Sequence, residues 1–390
     1  MQVLRSIYVH GRPAPHPNRY RILQAISSEF LPADFWLPWM DRSNPSPWRK
    51  FASLVGCSLR FPQLRRWHLL IGDGPQPLLP LLRLTGRLSR SQLIIPYMAG
   101  EYAYFVVTGY YGKFRTAFHK RFFQLWDAYL SISPMMTRLL KILLPQSRHS
   151  QILEIRNCFR LERLPLLEVE PDLNGYTIVF VGEGGGAPFR AYYKGLDLLL
   201  ASMEALIKTH PSLRCLIVGE WSDAIKKELA IRYPRAYSAA QWVGRVSDLK
   251  PLLASASLGF ACGRGDAFPN ALLEMGLAGL PVLTSEWTGG AHIVEEIAPE
   301  LVAPLDPWEI AERVRIYLSY PLSKKHEIGL FLRQKVLNES NEIVARRILR
   351  EKLHHFLQHT PFSGIKLPAW EEAVQTIELL KNYGVSGIKQ

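Results

Sequence analysis

The chain has 390 residues, 47 Lys plus Arg against 34 Asp plus Glu, a formal net charge of +13, and 48% apolar and 21% charged residues. That length suits two domains with a core each, and the balance excludes wholesale disorder, a collagen-like repeat and a disulfide-stapled miniprotein. The positive charge is concentrated: residues 1–165 hold 23 basic and 8 acidic side chains, net +15, and residues 166–390 hold the remaining 24 and 26, net −2.

The four cysteines, Cys57, Cys158, Cys215 and Cys262, form no close pair, so neither a zinc spacing nor a disulfide framework is readable. A reducing cytoplasm is the simplest compartment. The uncharged apolar run over residues 102–112 stops after eleven residues, short of the roughly 18 needed to cross a bilayer. The opening MQVLRSIYVHG reads as a first strand rather than a signal peptide. The expectation is a soluble protein or one lying on a membrane surface.

In chain order, SIYVH is the first strand. An irregular stretch follows, with Pro32, Trp36, Pro38, Trp39, Pro45, Pro47 and Trp48, whose pattern assigns no secondary structure. HLLIGDG and QLIIPYMAG read as further strands, residues 113–131 as a long helix, and QILEI as a strand. The acidic connector at 164–174, with Pro165 and Pro171, marks the domain boundary. Beyond it, strands at 176–182, 214–219, 241–243, 258–262 and 281–285 alternate with helices at 195–209, 222–231, 247–254 and 270–278. Such alternation predicts a parallel, doubly wound sheet, which binds ligands at the carboxyl ends of its strands. A tail past Pro361 carries a helical segment at 369–382.

The most specific segment is DAFPNALLE, from Asp266 to Glu274, preceded by Gly263, Arg264 and Gly265 and followed by MGLAGLPVLTSEWTGG. Strand 258–262 ends in this glycine-rich turn, and Pro269 suits the first helical position, where its missing N–H is harmless. The amides of about residues 268–272 then stand at a helix N-terminus, a natural site for an anionic or hydroxyl-rich ligand. Glu274 follows Asn270 by one turn on the same face. Taken alone, the acidic pair reads as a helix cap and a solvated glutamate. The surrounding run changes that balance.

The run DAFPNALLEMGLAGLPVLTSEWTGG resembles the Glu-x7-Glu element of the GT-B-fold glycosyltransferases of family 4, also called group 1 glycosyl transferases, with Asp266 and Glu274 in the two acidic positions. The resemblance extends in order through FVGEGGGAPFRAYYKGLDLLLASMEAL, RCLIVGEW, QWVGRVSDLKPLLASASLGFAC and LVAPLDPWEIAERV. It is thin in the first half, where it rests on the Gly11-Arg12 turn, a helix ending at residues 131–133 and the Arg156-Asn157 pair. It implies an α/β protein of GT-B architecture, with two Rossmann-like domains facing a central cleft. The expected division is an acceptor-side domain at 1–165, a nucleotide-sugar donor domain at 172–360, and a helical tail at 361–390 crossing back to the first domain.

By position, the resemblance implies that Lys194 contacts the donor diphosphate as a point cation and that Glu274 accepts hydrogen bonds from ribose hydroxyls. It implies that the amides around Phe268, Pro269, Asn270, Ala271 and Leu272 hold the sugar and phosphate, and that Asp266 binds a sugar hydroxyl. Gly244, Arg245 and Val246 would border the nucleobase, and Gly11 would let the backbone approach the phosphate. Three departures stand out. Glu183 occupies a position where the family usually has an Arg, and Arg190 is the candidate replacement. The first Glu is shortened to Asp266 and followed by Ala267 in place of Gly. PYMAGEY lacks the family's His, leaving Glu101 or Asp73 as guesses for its place.

The chain contains no Asp-x-Asp motif, so no bridging metal and no cofactor beyond the nucleotide-sugar co-substrate are expected. Lys194, with Arg190 or Arg12 and the helix amides, would stabilise the departing diphosphate. The family retains anomeric configuration, which calls for no dedicated nucleophile. A competing reading takes residues 182–187, GEGGGA, as a dinucleotide fingerprint of an NAD(P)-dependent oxidoreductase. That motif needs a helix to open at once and an acidic residue about 20 positions on, and neither is met.

In YYGKFRTAFHKRFFQLW, residues 110–126, the side chains Tyr111, Phe114, Phe118, Phe122 and Leu125 fall on one helical side, with Lys113 and Lys120 nearly opposite and Arg115 and Arg121 on the flanks. Such a helix can lie in an anionic membrane interface, or its aromatic stripe can be core. The aromatic and basic stretch at 36–51 favours the membrane. Nucleic acid ranks below both because of the ordered donor-site motifs. The expectation is a metal-independent, retaining glycosyltransferase, cytoplasmic or peripheral on the inner face of the membrane, acting on a lipid-linked or membrane-associated saccharide.

Overall fold

A computed structural model describes residues 3–9, 17–26, 29–31, 61–75, 78–184 and 189–385. Gly11, Arg12, most of the Pro- and Trp-rich stretch and residues 185–188 of the glycine loop lie outside the described residues.

Among the described residues two six-stranded sheets organise the chain, and every strand pair in them is parallel. The first contains β1 (Ser6–Val9), β2 (Glu29–Leu31), β3 (Leu69–Asp73), β4 (Leu93–Met98), β5 (Tyr129–Ser131) and β6 (Ile152–Glu154), in the order β2-β1-β3-β4-β5-β6. The second contains β7 (Thr177–Val181), β8 (Arg214–Val218), β9 (Ala240–Gly244), β10 (Leu258–Ala261), β11 (Val282–Ser285) and β12 (Val302–Ala303), in the order β12-β11-β10-β7-β8-β9. Continuous apolar runs such as Leu93–Met98, buried along their whole length, are what a parallel sheet covered on both faces requires. In the second sheet the winding reverses between β7 and β10, which are paired to each other. A crevice opens at such a switch point, beyond the carboxyl ends of the two strands.

The carboxyl ends of the two sheets face one another. The turn after β4 brings Tyr104 to 5.5 Å from the Trp287 ring. After β5, Arg138 donates to the Glu286 carbonyl at 3.0 Å and lies 4.3 Å over Trp287. After β6, buried Asn157 donates to the Phe268 carbonyl at 3.1 Å. The helix at Glu342–Gln358 lies against the first unit, where Arg346 Nε donates to the Arg21 carbonyl at 2.9 Å and Arg350 to that of Ala25 at 2.6 Å. Further on, Leu4 N–H donates to the Lys366 carbonyl at 2.8 Å, tying the tail to the start of the chain.

Three local expectations are corrected. The helix expected over 113–131 ends at Phe123, and residues 129–131 form β5. Asp127 turns the chain: its carboxylate accepts from Ile94 N–H at 2.6 Å and from Arg83 at 2.7 Å. The strand is buried on both faces, so its run has no alternation to betray it. The helix expected from 195 is preceded by another: Arg190 lies on a short helix, Phe189–Lys194, separated by Gly195 from the helix at Leu196–Leu206. The last helix begins at Val374 rather than 369. No helix among the described residues is long and apolar enough to cross a membrane.

Candidate functional site

A cavity of about 270 Å³ lies at the β7/β10 switch point. Its floor is made by Phe180, Val181, Phe260 and Ala261, the last residues of the two strands, and its walls include Lys194, Gly263, Asp266, Pro269, Asn270, Ala271 and Glu274. The sequence-predicted Lys194, Asp266 and Glu274 therefore converge on one space.

Lys194 Nζ donates to Asp266 Oδ2 at 2.6 Å. Two backbone devices set this meeting. Gly195 has φ +78°, and a Cβ there would stand 1.8 Å from the Cys262 carbonyl oxygen, so the end of the Phe189–Lys194 helix rests directly on the end of β10. The Asp266 carbonyl accepts from Gly289 N–H at 2.7 Å, and a Cβ on Gly289 would lie 1.5 Å from the Ala267 oxygen. Gly289, in the Gly-Gly turn after the motif, thus leaves the Asp266 loop the room it occupies. Arg264 clamps the same loop from the other side. It makes a bidentate pair with Asp197 at 2.8 and 2.9 Å, donates to the Tyr192 carbonyl at 2.5 Å, and stacks 3.9 Å over the Tyr192 ring.

Pro269 departs from the expected first helical position. Its ψ of 128° is extended, it stands at the N-cap, and the helix runs Asn270–Leu277. The Leu272 amide turns back to the Pro269 carbonyl at 3.2 Å, so the amide group facing the cavity narrows to the positions around Asn270 and Ala271. Phe268 and Leu272 are core instead: Leu272 is fully buried and Phe268 packs edge-on against His292. His292 Nδ1 bonds the Gly289 carbonyl at 3.1 Å, while Nε2 is buried without a hydrogen-bond partner. Burial, and then the Arg156 charge, hold its pKa below the usual histidine value.

Glu274 is buried beneath the helix start, one turn from Asn270. Burial pushes its carboxyl above the usual glutamate range, opposed by Arg163 and then Arg160. Arg163 Nε lies 2.7 Å from Glu274 Oε1, and both arginines line the cavity. Sequence reasoning missed them because they stand just before the connector expected at 164–174, remote in the chain from the motif; the 3-10 helix at Leu161–Glu168 extends that connector back to them. Tyr193 was also missed. It is buried, and burial followed by the neighbouring Asp266 and Glu101 carboxylates holds its hydroxyl well above the usual tyrosine range.

The remaining expected residues are placed as follows. Arg190 stands one helical turn before Lys194 and does not line the cavity. Gly244 closes β9, and Arg245 just beyond it pairs with Glu183 beyond β7, bridging the end of β8 between them. Glu183 is thereby directed to Arg245 rather than to the cavity. Of the two acidic guesses for the missing His, Glu101 lies near Tyr193, whereas Asp73 accepts from Tyr8 at 2.9 Å and pairs with Arg19. In the glycine loop, Gly182 and Gly184 donate to the Val218 and Glu220 carbonyls, so the chain continues beside β8 as far as Gly184. Among the described residues no group of three or more His, Cys, Asp or Glu side chains is placed to hold a metal ion.

The fold agrees with comparisons to known proteins. Residues 175–319 match the family described as Glycosyl transferases group 1. No curated protein matches the chain in sequence. Solved structures with a similar fold include HepE of Anabaena in complex with UDP and glucose, with TM-score 0.64, 11% identity, and 90% of this chain and 100% of that one covered. Sucrose-phosphate synthase of Thermosynechococcus elongatus gives TM-score 0.64 and 16% identity, over 91% of this chain and 99% of that one. WaaG, a glycosyltransferase involved in lipopolysaccharide biosynthesis, gives 0.61 and 14%, over 89% and 98%. The chain has a GT-B fold, and its residues 175–319 match the group 1 glycosyl transferase model.

Proposed function

We propose that the protein moves a sugar from a nucleoside-diphosphate donor to a hydroxyl acceptor, with retention of configuration and without a metal ion or cofactor. The observation that carries this reading is the convergence of Lys194, Asp266 and Glu274 with a helix N-terminus on one cavity at the switch point. HepE, which shares the fold, binds UDP-glucose.

In this reading the donor diphosphate draws Lys194 from Asp266, and the amides near Asn270 and Ala271 take phosphate oxygens. Glu274 accepts from the ribose hydroxyls. The bond from the anomeric carbon to the phosphate oxygen breaks, and the acceptor oxygen bonds the same carbon on the same face. The acceptor's proton passes to the departing diphosphate. Lys194 and the helix amides stabilise the charge that develops there as preorganised donors. Asp266, freed from Lys194, accepts from a donor-sugar hydroxyl.

The acceptor in this proposal is a saccharide carried at a membrane surface. Phe114 and Phe118, 94% and 61% exposed, stand on the helix at Lys113–Phe123 among Lys113, Arg115, Lys120 and Arg121, while that helix buries Thr116 and Phe123. An exposed aromatic stripe with basic flanks favours an anionic interface over a core role. A transfer screen over UDP-, GDP- and ADP-sugars with a glycolipid acceptor mixture, read by mass spectrometry, tests the reading. A sugar-extended lipid with its anomeric configuration kept is the expected product; an inverted product overturns retention, and hydride transfer to NAD(P) without glycosyl transfer overturns the whole.

A further inference from the structure

The connector between the two units does more than join them. Its 3-10 helix at Leu161–Glu168 packs against the Asn270–Leu277 helix, so a segment outside the donor-domain motifs delivers two guanidinium groups, Arg160 and Arg163, into the cavity. Arg163 comes within 2.7 Å of Glu274 Oε1, and among the described residues no hydrogen bond or ion pair is found for Oε2. Glu274 is the less exposed partner, at 9% of its side chain against 24% for Arg163.

A carboxylate this deep, lacking a countercharge, shifts toward its protonated form. A protonated carboxyl turns one oxygen into a donor and loses its charge, and so becomes a weaker acceptor for a pair of hydroxyls. The other charges around Glu274 are few. Arg160 lies on the same connector, and Lys194 and Asp266 line the far wall in a pair of their own. The helix at Leu322–Glu339 turns Arg333 to the Ala278 carbonyl at the opposite end of the Asn270–Leu277 helix. β10 and β11 contribute no ionisable side chain.

We propose that Arg163 is a positioning residue of the donor site: it holds Glu274 as an ionised, oriented acceptor for the vicinal hydroxyls of the donor nucleoside, and so makes donor binding depend on the connector between the two units. This rests on the reading of the cavity as a nucleotide-sugar site.

The test titrates the full chain with the nucleoside diphosphate that wild type binds best among UDP, GDP and ADP. Calorimetry at about pH 6 and about pH 8.5 compares Arg163→Gln, Arg163→Lys and Glu274→Gln. Affinities are read as ratios to wild type at each pH, which cancels titration of the diphosphate itself. Arg163→Gln is expected to lose affinity relative to wild type near pH 6 and to recover most of it near pH 8.5, as the unpaired carboxyl ionises. Arg163→Lys keeps wild-type affinity within about threefold, since it restores the countercharge. Glu274→Gln binds weakly at both pH values. Arg163→Gln with unchanged affinity overturns the proposal. So does an equal loss at both pH values accompanied by an equal loss in Arg163→Lys, which would mark a phosphate contact or a purely structural role. Thermal melts of each variant separate misfolding from either result. A wild type that binds none of the three nucleotides overturns the functional reading itself, and this role with it.

Discussion

Lys194 and Asp266 meet at 2.6 Å, one from the end of a six-residue helix and the other from the turn after β10. In the absence of donor each is the other's countercharge. A diphosphate must compete with Asp266 for the ammonium, so the two substitutions should separate. Lys194→Ala is expected to weaken nucleotide binding and to lower transfer by about 10²–10³-fold, the usual effect of removing one stabilising donor. Asp266→Asn should leave binding of the free nucleoside diphosphate unchanged or tighter while still lowering transfer. Calorimetry with the diphosphate alongside initial rates checks both.

The Arg264–Asp197 clamp makes a stability prediction. Its side chains are 10% and 18% exposed, and removing the guanidinium leaves Asp197 and the Tyr192 carbonyl without their donor. Arg264→Met should destabilise the protein by about 3 kcal/mol, the lower end for breaking a buried pair. Urea unfolding of the variant against wild type measures it.

Two glycines with the same backbone sign should behave differently. Gly195 and Gly244 have φ of +78° and +76°, but a Cβ at 195 would strike the Cys262 carbonyl whereas at 244 it meets nothing within 4 Å. Gly244→Ala should cost about 1 kcal/mol from backbone strain alone. Gly195→Ala should cost well over about 3 kcal/mol, because the rigid end of β10 has to move. Melting temperatures of the pair, and the soluble yield of Gly195→Ala, check the contrast.

His292 gives a pH dependence whose sign is fixed. Its folded pKa lies below the ordinary 6.5, so the unfolded chain binds the proton more readily. The stability from neutral His292 is present above about pH 6.5 and declines as pH falls through that value toward the depressed folded pKa. Wild type should lose stability over that window, and His292→Gln should flatten this part of the profile. Denaturation midpoints across about pH 5 to 7.5 report it.

Phe114 and Phe118 stand on the helix at Lys113–Phe123, away from the cavity. The double substitution Phe114→Glu, Phe118→Glu should abolish flotation with anionic vesicles and leave nucleotide binding intact. Retained flotation would assign the basic surface another partner.

Much of the second unit was legible in the sequence because each strand end carries its own punctuation. The Asp266–Glu274 run, with Gly195, Gly263 and the Gly289-Gly290 turn, is a set of local constraints in one segment order, and the structure assembles it at the switch point. β5 was not legible, since a short strand buried on both faces shows no period. Arg160, Arg163 and Tyr193 were not legible for a different reason. Their roles arise from the packing of the connector and the short helix onto the motif, which no local spacing encodes. Glu183 looked anomalous beside a diphosphate until its partner Arg245 was seen across the strand ends.

The central claim is that this cavity binds a nucleotide sugar through Glu274 and Lys194. Calorimetry of wild type, Glu274→Ala and Lys194→Ala against UDP-, GDP- and ADP-sugars tests it most directly. The account predicts that wild type binds at least one donor and that each substitution weakens that binding by about tenfold or more, the loss of one charge-assisted contact. A donor that wild type binds and both variants bind equally well would contradict it.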